Sequence, residues 1–119
     1  MLDFDLARAL ADGVLAEDRR RRTAPLTVAV LDAGGHAVVL YRQDGAGIVE
    51  RFPGFVEALS VASEGRLIPA AGGVLLRDGT GRIIGAVGVS GDGSDVDEAC
   101  AVVAARAVGL DPEPSAPSA

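Results

Sequence analysis

Apolar residues recur along the chain with two different periods. Leu6, Leu10 and Val14 follow one another at four-residue spacing, with Ala7, Ala11 and Leu15 beside them. That is one apolar face at helical period, so a first helix is expected. Asp3 or Asp5 is placed to cap it, and Arg19, Arg20, Arg21 and Arg22 stand at its C-terminal end. Cations are favoured there by the helix dipole, and the same four residues also read as an anion-contact patch. Thr23, Ala24 and Pro25 stop the pattern. Leu26 to Leu31 is a short, nearly all-apolar run with Val and Thr, which predicts a strand. Asp32, Ala33, Gly34 and Gly35 form a turn into a second strand, His36 to Arg42, giving an antiparallel hairpin. Between Gln43 and Ala71 the pattern weakens. QDGAG reads as a loop, and Pro53 and Gly54 interrupt the stretch after it, leaving one or two short helical turns. Gly73 to Arg77 and Arg82 to Ser90 form a second hairpin around Asp78, Gly79, Thr80 and Gly81. Gly85 and Gly88 within its last strand imply close approach by another backbone or a ligand. Ser94 to Asp97 resembles a capping box opening a final helix, with Ala99, Cys100, Val103, Ala104, Ala107 and Val108 as its buried stripe. Gly109 is a stop signal.

The order is helix, hairpin, irregular segment, hairpin, helix. Paired strands flanked by helices predict an α+β fold with an antiparallel sheet and both terminal helices packed on it. Residues 1–110 are expected to form one domain. Residues 111–119, rich in Pro, Ser and Ala, are expected to form a disordered tail.

Composition narrows the function. The 119 residues include 17 acids and 11 bases, for a formal charge of -6, and all bases are Arg. Net acidity argues against nucleic acid or an anionic membrane as the main partner. The absence of Lys excludes Schiff-base chemistry. One Cys and one His supply neither a disulfide framework nor a structural zinc site. No apolar run is long enough to cross a bilayer, and the amphipathic, acidic N-terminus does not read as a secretory signal, so the expected address is cytoplasmic.

Three stretches taken together resemble the GlcG/HbpS-like family, also called the heme-degrading or DUF336 domain. The first is VAVLDAGGHAVVLYRQDGA, Val28 to Ala46, with its Asp-Ala-Gly-Gly turn and Arg-x-Asp-Gly-Ala strand end. The second is GGVLLRDGTGRIIGAVGVSG, Gly72 to Gly91, and the third is the Asp97-Glu98 pair that opens the last helix. The matching parts span most of the chain. The resemblance implies a profilin-like layered domain, a small ligand such as heme or a related tetrapyrrole, and self-association into a dimer or larger homo-oligomer. The chain departs from the family between Ala46 and Gly72, where relatives carry a helix with a Lys-Ala-x-Thr-Ala-like signature. Here the connection is about one helix shorter and holds no Lys.

Candidate chemistry centres on four residues. His36, the sole imidazole, is either an axial ligand for heme iron or an exposed turn residue. Arg42 is suited to clamp a carboxylate such as a heme propionate, or to pair with a neighbouring Asp. Asp32 and Asp44 act as bases if desolvated, whereas their commoner role is to bind turn amides; Asp44 also stands beside Arg42 as a ligand contact. Tyr41, at an odd offset from His36, is expected on the opposite strand face. The acidic GDGSD loop reads as helix capping or a weak site for a hard divalent cation. Cys100 reads as inert core, and Ser90 lacks a nucleophile elbow. Three functions are compatible with these residues: a ligand-binding module using His36 and Arg42, a small isomerase, lyase or cyclase using Asp32 or Asp44 with Arg42, or a non-catalytic structural oligomer.

Overall fold

The computed structural model describes residues 1–46 and 73–113. The expected helical turns between Gln43 and Ala71 fall largely outside these residues, as does the end of the chain beyond Glu113. Helix α1 spans Phe4–Arg21 and buries Ala7, Leu10, Ala11 and Val14, the face set by its sequence period. Asp3 caps it, accepting a hydrogen bond from the Leu6 amide at 2.8 Å. The helix ends at Arg22, which adopts a left-handed conformation with φ 55°. Arg20 and Arg21 are held at this end by Glu17.

Strands β1 (Thr27–Asp32), β2 (Ala37–Arg42), β3 (Gly73–Arg77) and β4 (Ile83–Ser90) lead to helix α2 (Ser94–Ala107) and a short strand β5 (Asp111–Glu113). They form one five-stranded antiparallel sheet in the order β2-β1-β4-β3-β5. The α+β prediction holds, and both hairpins form as expected. β5 corrects the expected tail: Asp111 to Glu113 pair with β3, and Arg77 bonds Glu113 at 3.0 Å. Pro112 is accommodated because proline is tolerated on a sheet edge.

Both helices pack on one face of the sheet and on each other, where Gly13 lets α1 approach Ala104 of α2 closely. Leu10, Val14, Val28, Val30, Leu76, Val87 and Val89 form the core there. The opposite face carries a smaller apolar pair, Leu31 and Leu75. Thr27 and Ser90 are cross-strand partners, and neither buried hydroxyl has a hydrogen-bond partner among the described residues.

Two expectations about β4 and α2 resolve in detail. Gly85 does mark a close backbone approach, because a Cβ there would strike the Leu31 carbonyl oxygen and lie 2.8 Å from Leu2. The capping box expected over Ser94 to Asp97 does not form, because no side chain caps the first turn. Gly93 is the N-cap of α2, and the Asp97 carboxylate reaches back to the Asp92 amide at 3.0 Å.

Candidate functional site

The first hairpin turn is organised by one carboxylate. Asp32 Oδ1 accepts hydrogen bonds from the Gly34 amide at 2.9 Å and the His36 amide at 2.9 Å. The His36 ring places Nδ1 3.1 Å from the same oxygen. Gly35 takes the positive φ of 82° that closes the turn. The His36 amide is the main cause that holds the Asp32 carboxyl below its usual range, so it is ionised at neutral pH. A carboxylate acceptor selects the Nδ1–H tautomer and leaves the Nε2 lone pair available. The His36 side chain is 80% exposed, so that lone pair is accessible.

Beside this turn lies a cavity of about 520 Å³. Asp32 and Gly34 line one side, Asp78 and Arg82 of the β3–β4 turn line the other, and Leu2 and Ile84 supply apolar surface. Asp78 repeats the arrangement of Asp32: its Oδ1 accepts from the Thr80 hydroxyl at 2.6 Å, the Thr80 amide at 2.9 Å and the Arg82 amide at 3.1 Å. These bonds, the Thr80 hydroxyl first, lower its carboxyl pKa. The cavity therefore joins two ionised carboxylates and a guanidinium to an apolar wall.

Arg42 and Asp44 sit at the other end of β2. Arg42 donates from Nε to the Ala46 carbonyl at 2.9 Å, and Asp44 is exposed on the turn before Gly45. Gln43 holds this end to β1, accepting from the Leu26 amide through its side chain at 2.7 Å. A second cavity, of about 400 Å³, is lined by Leu15, Leu40, Tyr41, Arg42 and Gln43. Tyr41 packs with the helix-side core, and its phenol pKa is raised by burial and by a hydrogen bond to Asp12. The structure thus joins His36 to Asp32 and leaves Arg42 near Asp44. Six strand residues separate the two pairs, a span of roughly 20 Å.

Several charged groups take environments that the sequence pattern does not reveal. Asp97 is buried, and burial raises its carboxyl pKa to about 7, with the Asp92 and Asp95 charges adding to the shift. Asp92 accepts from the Ala24 amide at 2.9 Å and from the Gly93 amide at 2.7 Å, tying the α1–β1 connection to the start of α2. Asp18 is also buried, with one carboxylate oxygen unpartnered among the described residues, and burial raises its pKa. Glu17, held by Arg20 and Arg21, is lowered to about 2. The acidic runs gave a signal for these groups, but their burial depends on packing between distant segments. Among the described residues no group of three or more His, Cys, Asp or Glu is arranged to hold a metal ion. Cys100 is buried as expected, and burial pushes its thiol pKa up to about 11.

A layered sheet with two helices on one face, and a turn built on the Asp-Ala-Gly-Gly motif, define the class of domain. The sequence matches the family described as haem degrading protein HbpS-like over residues 2–52 and 50–106, and the chain belongs to that family. Solved structures share the fold. A PduOC:heme complex aligns with a TM-score of 0.71 at 22% identity, covering 94% of this chain and 98% of that one. Klebsiella pneumoniae ORFY, assigned to DUF336, aligns at 0.70 and 20% identity, covering 90% of each chain. HbpS aligns at 0.66 and 25% identity, covering 91% of this chain and 90% of that one. No curated relative matches the sequence. No described helix is long and apolar enough to cross a membrane.

Proposed function

We propose that the chain is a heme-related small-ligand-binding domain that takes heme or a related tetrapyrrole with His36 as the axial ligand. The observation that carries this reading is the Asp32–His36 contact. Metal-binding histidines almost always donate their second ring N–H to a carboxylate or carbonyl, which fixes the ring and raises its basicity. Here that partner is in place and the other ring nitrogen is open. The donor set therefore fits a single imidazole ligand. Cys100 is sealed in the core and Tyr41 faces α1, so neither competes for the same iron. Bound heme would supply redox-active iron. The chain's own part is to orient one imidazole and, through Arg82 at the neighbouring cavity, to offer a cation to a carboxylate. Membership of the HbpS-like family, and a fold shared with a protein crystallised with heme, support the ligand class.

The geometry favours binding over catalysis by Asp32. A carboxylate already held by three hydrogen bonds and lowered in pKa is a poor general base at neutral pH. Titration of the purified chain with hemin tests the proposal. The expected result is a saturable Soret shift with one heme per chain; a featureless titration contradicts it.

A further inference from the structure

The two hairpins use one turn pattern twice. Asp32-Ala33-Gly34-Gly35-His36 and Asp78-Gly79-Thr80-Gly81-Arg82 share their spacing. In each, the Asp amide donates at 2.9 Å to the carbonyl of the last residue, His36 or Arg82. Gly35 and Gly81 donate back to the Asp carbonyls at 3.0 Å, with φ of 82° and 83°. Asp32 at the end of β1 pairs with Gly85 near the start of β4, so both turns stand at one end of the sheet and share the cavity of about 520 Å³. Gly85 makes room for its apolar wall. With no side chain there, Leu2 lies buried against the strand, next to Ile84.

The polar groups of this cavity are only half used. Every hydrogen bond that the two carboxylates accept from described residues falls on Oδ1. Neither Oδ2 has a partner among the described residues. The last residues of the two turns differ. The His36 ring turns back onto Asp32, whereas Arg82 is exposed and its guanidinium has no partner among the described residues. Arg77, the other cation of the second hairpin, is taken by Glu113 and the Gly81 carbonyl. Met1 is fully exposed at the cavity mouth, and its ammonium is the smallest of the influences that lower Asp78.

We propose that this cavity binds a small aliphatic zwitterion, an α-amino acid of the leucine type, with its ammonium on the free oxygens of Asp32 and Asp78, its carboxylate on Arg82 and its alkyl group on Leu2 and Ile84. Charge selects this class. Both carboxylates are ionised, so the cavity sets two negative charges against one positive. A plain carboxylate would satisfy the guanidinium and meet two like charges. A plain amine would satisfy the carboxylates and leave the guanidinium opposed to it. A zwitterion answers both signs. Asp78 and Arg82 belong to one turn, which suits ligand charges carried close together, as on one α-carbon. The volume lies within the roughly 300–1,000 Å³ of small-molecule sites, which likewise combine apolar walls with a few placed polar groups. The turn bonds fix both carboxylates in advance, so binding orders little of the protein.

The proposal uses neither His36 nor iron and does not rest on the heme reading. Arg82 is the group common to both, so the test is run without hemin. Leucine is titrated into the isotope-labelled chain while backbone amide shifts are followed by NMR. Saturable shifts are expected at Gly34, Thr80 and Arg82, whose amides donate to the two carboxylates. Isocaproate, which lacks the ammonium, and isoamylamine, which lacks the carboxylate, should each bind at least about 10-fold more weakly, the cost of one lost charged hydrogen bond. Arg82→Gln should weaken leucine by about 10-fold and leave isoamylamine no weaker. Asp78→Asn keeps Oδ1 for the turn amides but removes the charge, and should weaken leucine and isoamylamine alike.

No saturation at millimolar leucine, shifts confined to other parts of the chain, or unchanged leucine affinity in Arg82→Gln overturns the site. Equal affinity for leucine and isoamylamine overturns the zwitterion. If Asp78→Asn does not fold, Arg82→Gln decides, because that side chain is exposed and bonded to no described residue. A chain that binds leucine as described but no hemin supports this site and rejects the heme reading alone.

Discussion

The Asp32 carboxylate and the His36 imidazole meet across the first hairpin turn, Oδ1 to Nδ1, at 3.1 Å. The same oxygen holds two backbone amides of that turn. One side chain therefore fixes both the loop and the ring. Asp32→Ala is expected to weaken hemin binding by roughly 10- to 100-fold, the usual cost of losing a ligand's outer partner. It should also lower stability by about 1 kcal/mol, since three donors lose their acceptor at a partly exposed site. Hemin titration and chemical denaturation measure the two effects. Unchanged hemin affinity would show that Asp32 serves the turn alone.

Asp97 gives the fold a pH dependence of definite sign. Its folded pKa, about 7, lies above the ordinary carboxylate value. The folded chain thus binds a proton more tightly than the unfolded one, and this contribution is fully present below the unfolded pKa of about 4. It is lost as pH rises towards about 7. Asp97→Asn keeps an oxygen for the Asp92 amide but never ionises. The variant should melt several degrees higher than wild type at pH 8, with the gap closing at pH 5. Thermal melts at the two pH values check it, and an equal gap at both would contradict the assignment.

Gly85 is required by the approach of β1 to β4. An added Cβ would strike the Leu31 carbonyl oxygen, and backbone cannot step aside as a side-chain tip can. Gly85→Ala should cost about 3 kcal/mol, the upper part of the range for overpacking. Urea denaturation reads the loss directly. A change of under about 0.5 kcal/mol, typical of surface sites, would mean that the strands separate easily here.

Much of this architecture is local and so was legible in the chain. The four-residue spacing of Leu6, Leu10 and Val14 defines the buried face of α1, and the Asp-Ala-Gly-Gly and Asp-Gly-Thr-Gly turns define both hairpins. The order of the strands was not legible, because the β1–β4 pairing joins residues far apart in sequence. β5 was hidden by Pro112, whose missing amide matters little on an edge. The raised pKa of Asp97 arises from burial against distant residues, which an acidic run cannot reveal. The separation of His36 from Arg42 was available in principle. Six residues of extended chain span roughly 20 Å, too far for one small contact region.

Axial ligation by His36 is the central claim, and imidazole rescue tests it most directly. Wild type and His36→Gly are titrated with hemin while the Soret band is followed, and the variant is titrated again with free imidazole present. The account predicts a Soret shift in wild type, its loss in His36→Gly, and its return with imidazole, because the small base fills the space left by the ring. A His36→Gly chain that binds hemin with an unchanged spectrum and affinity would contradict it.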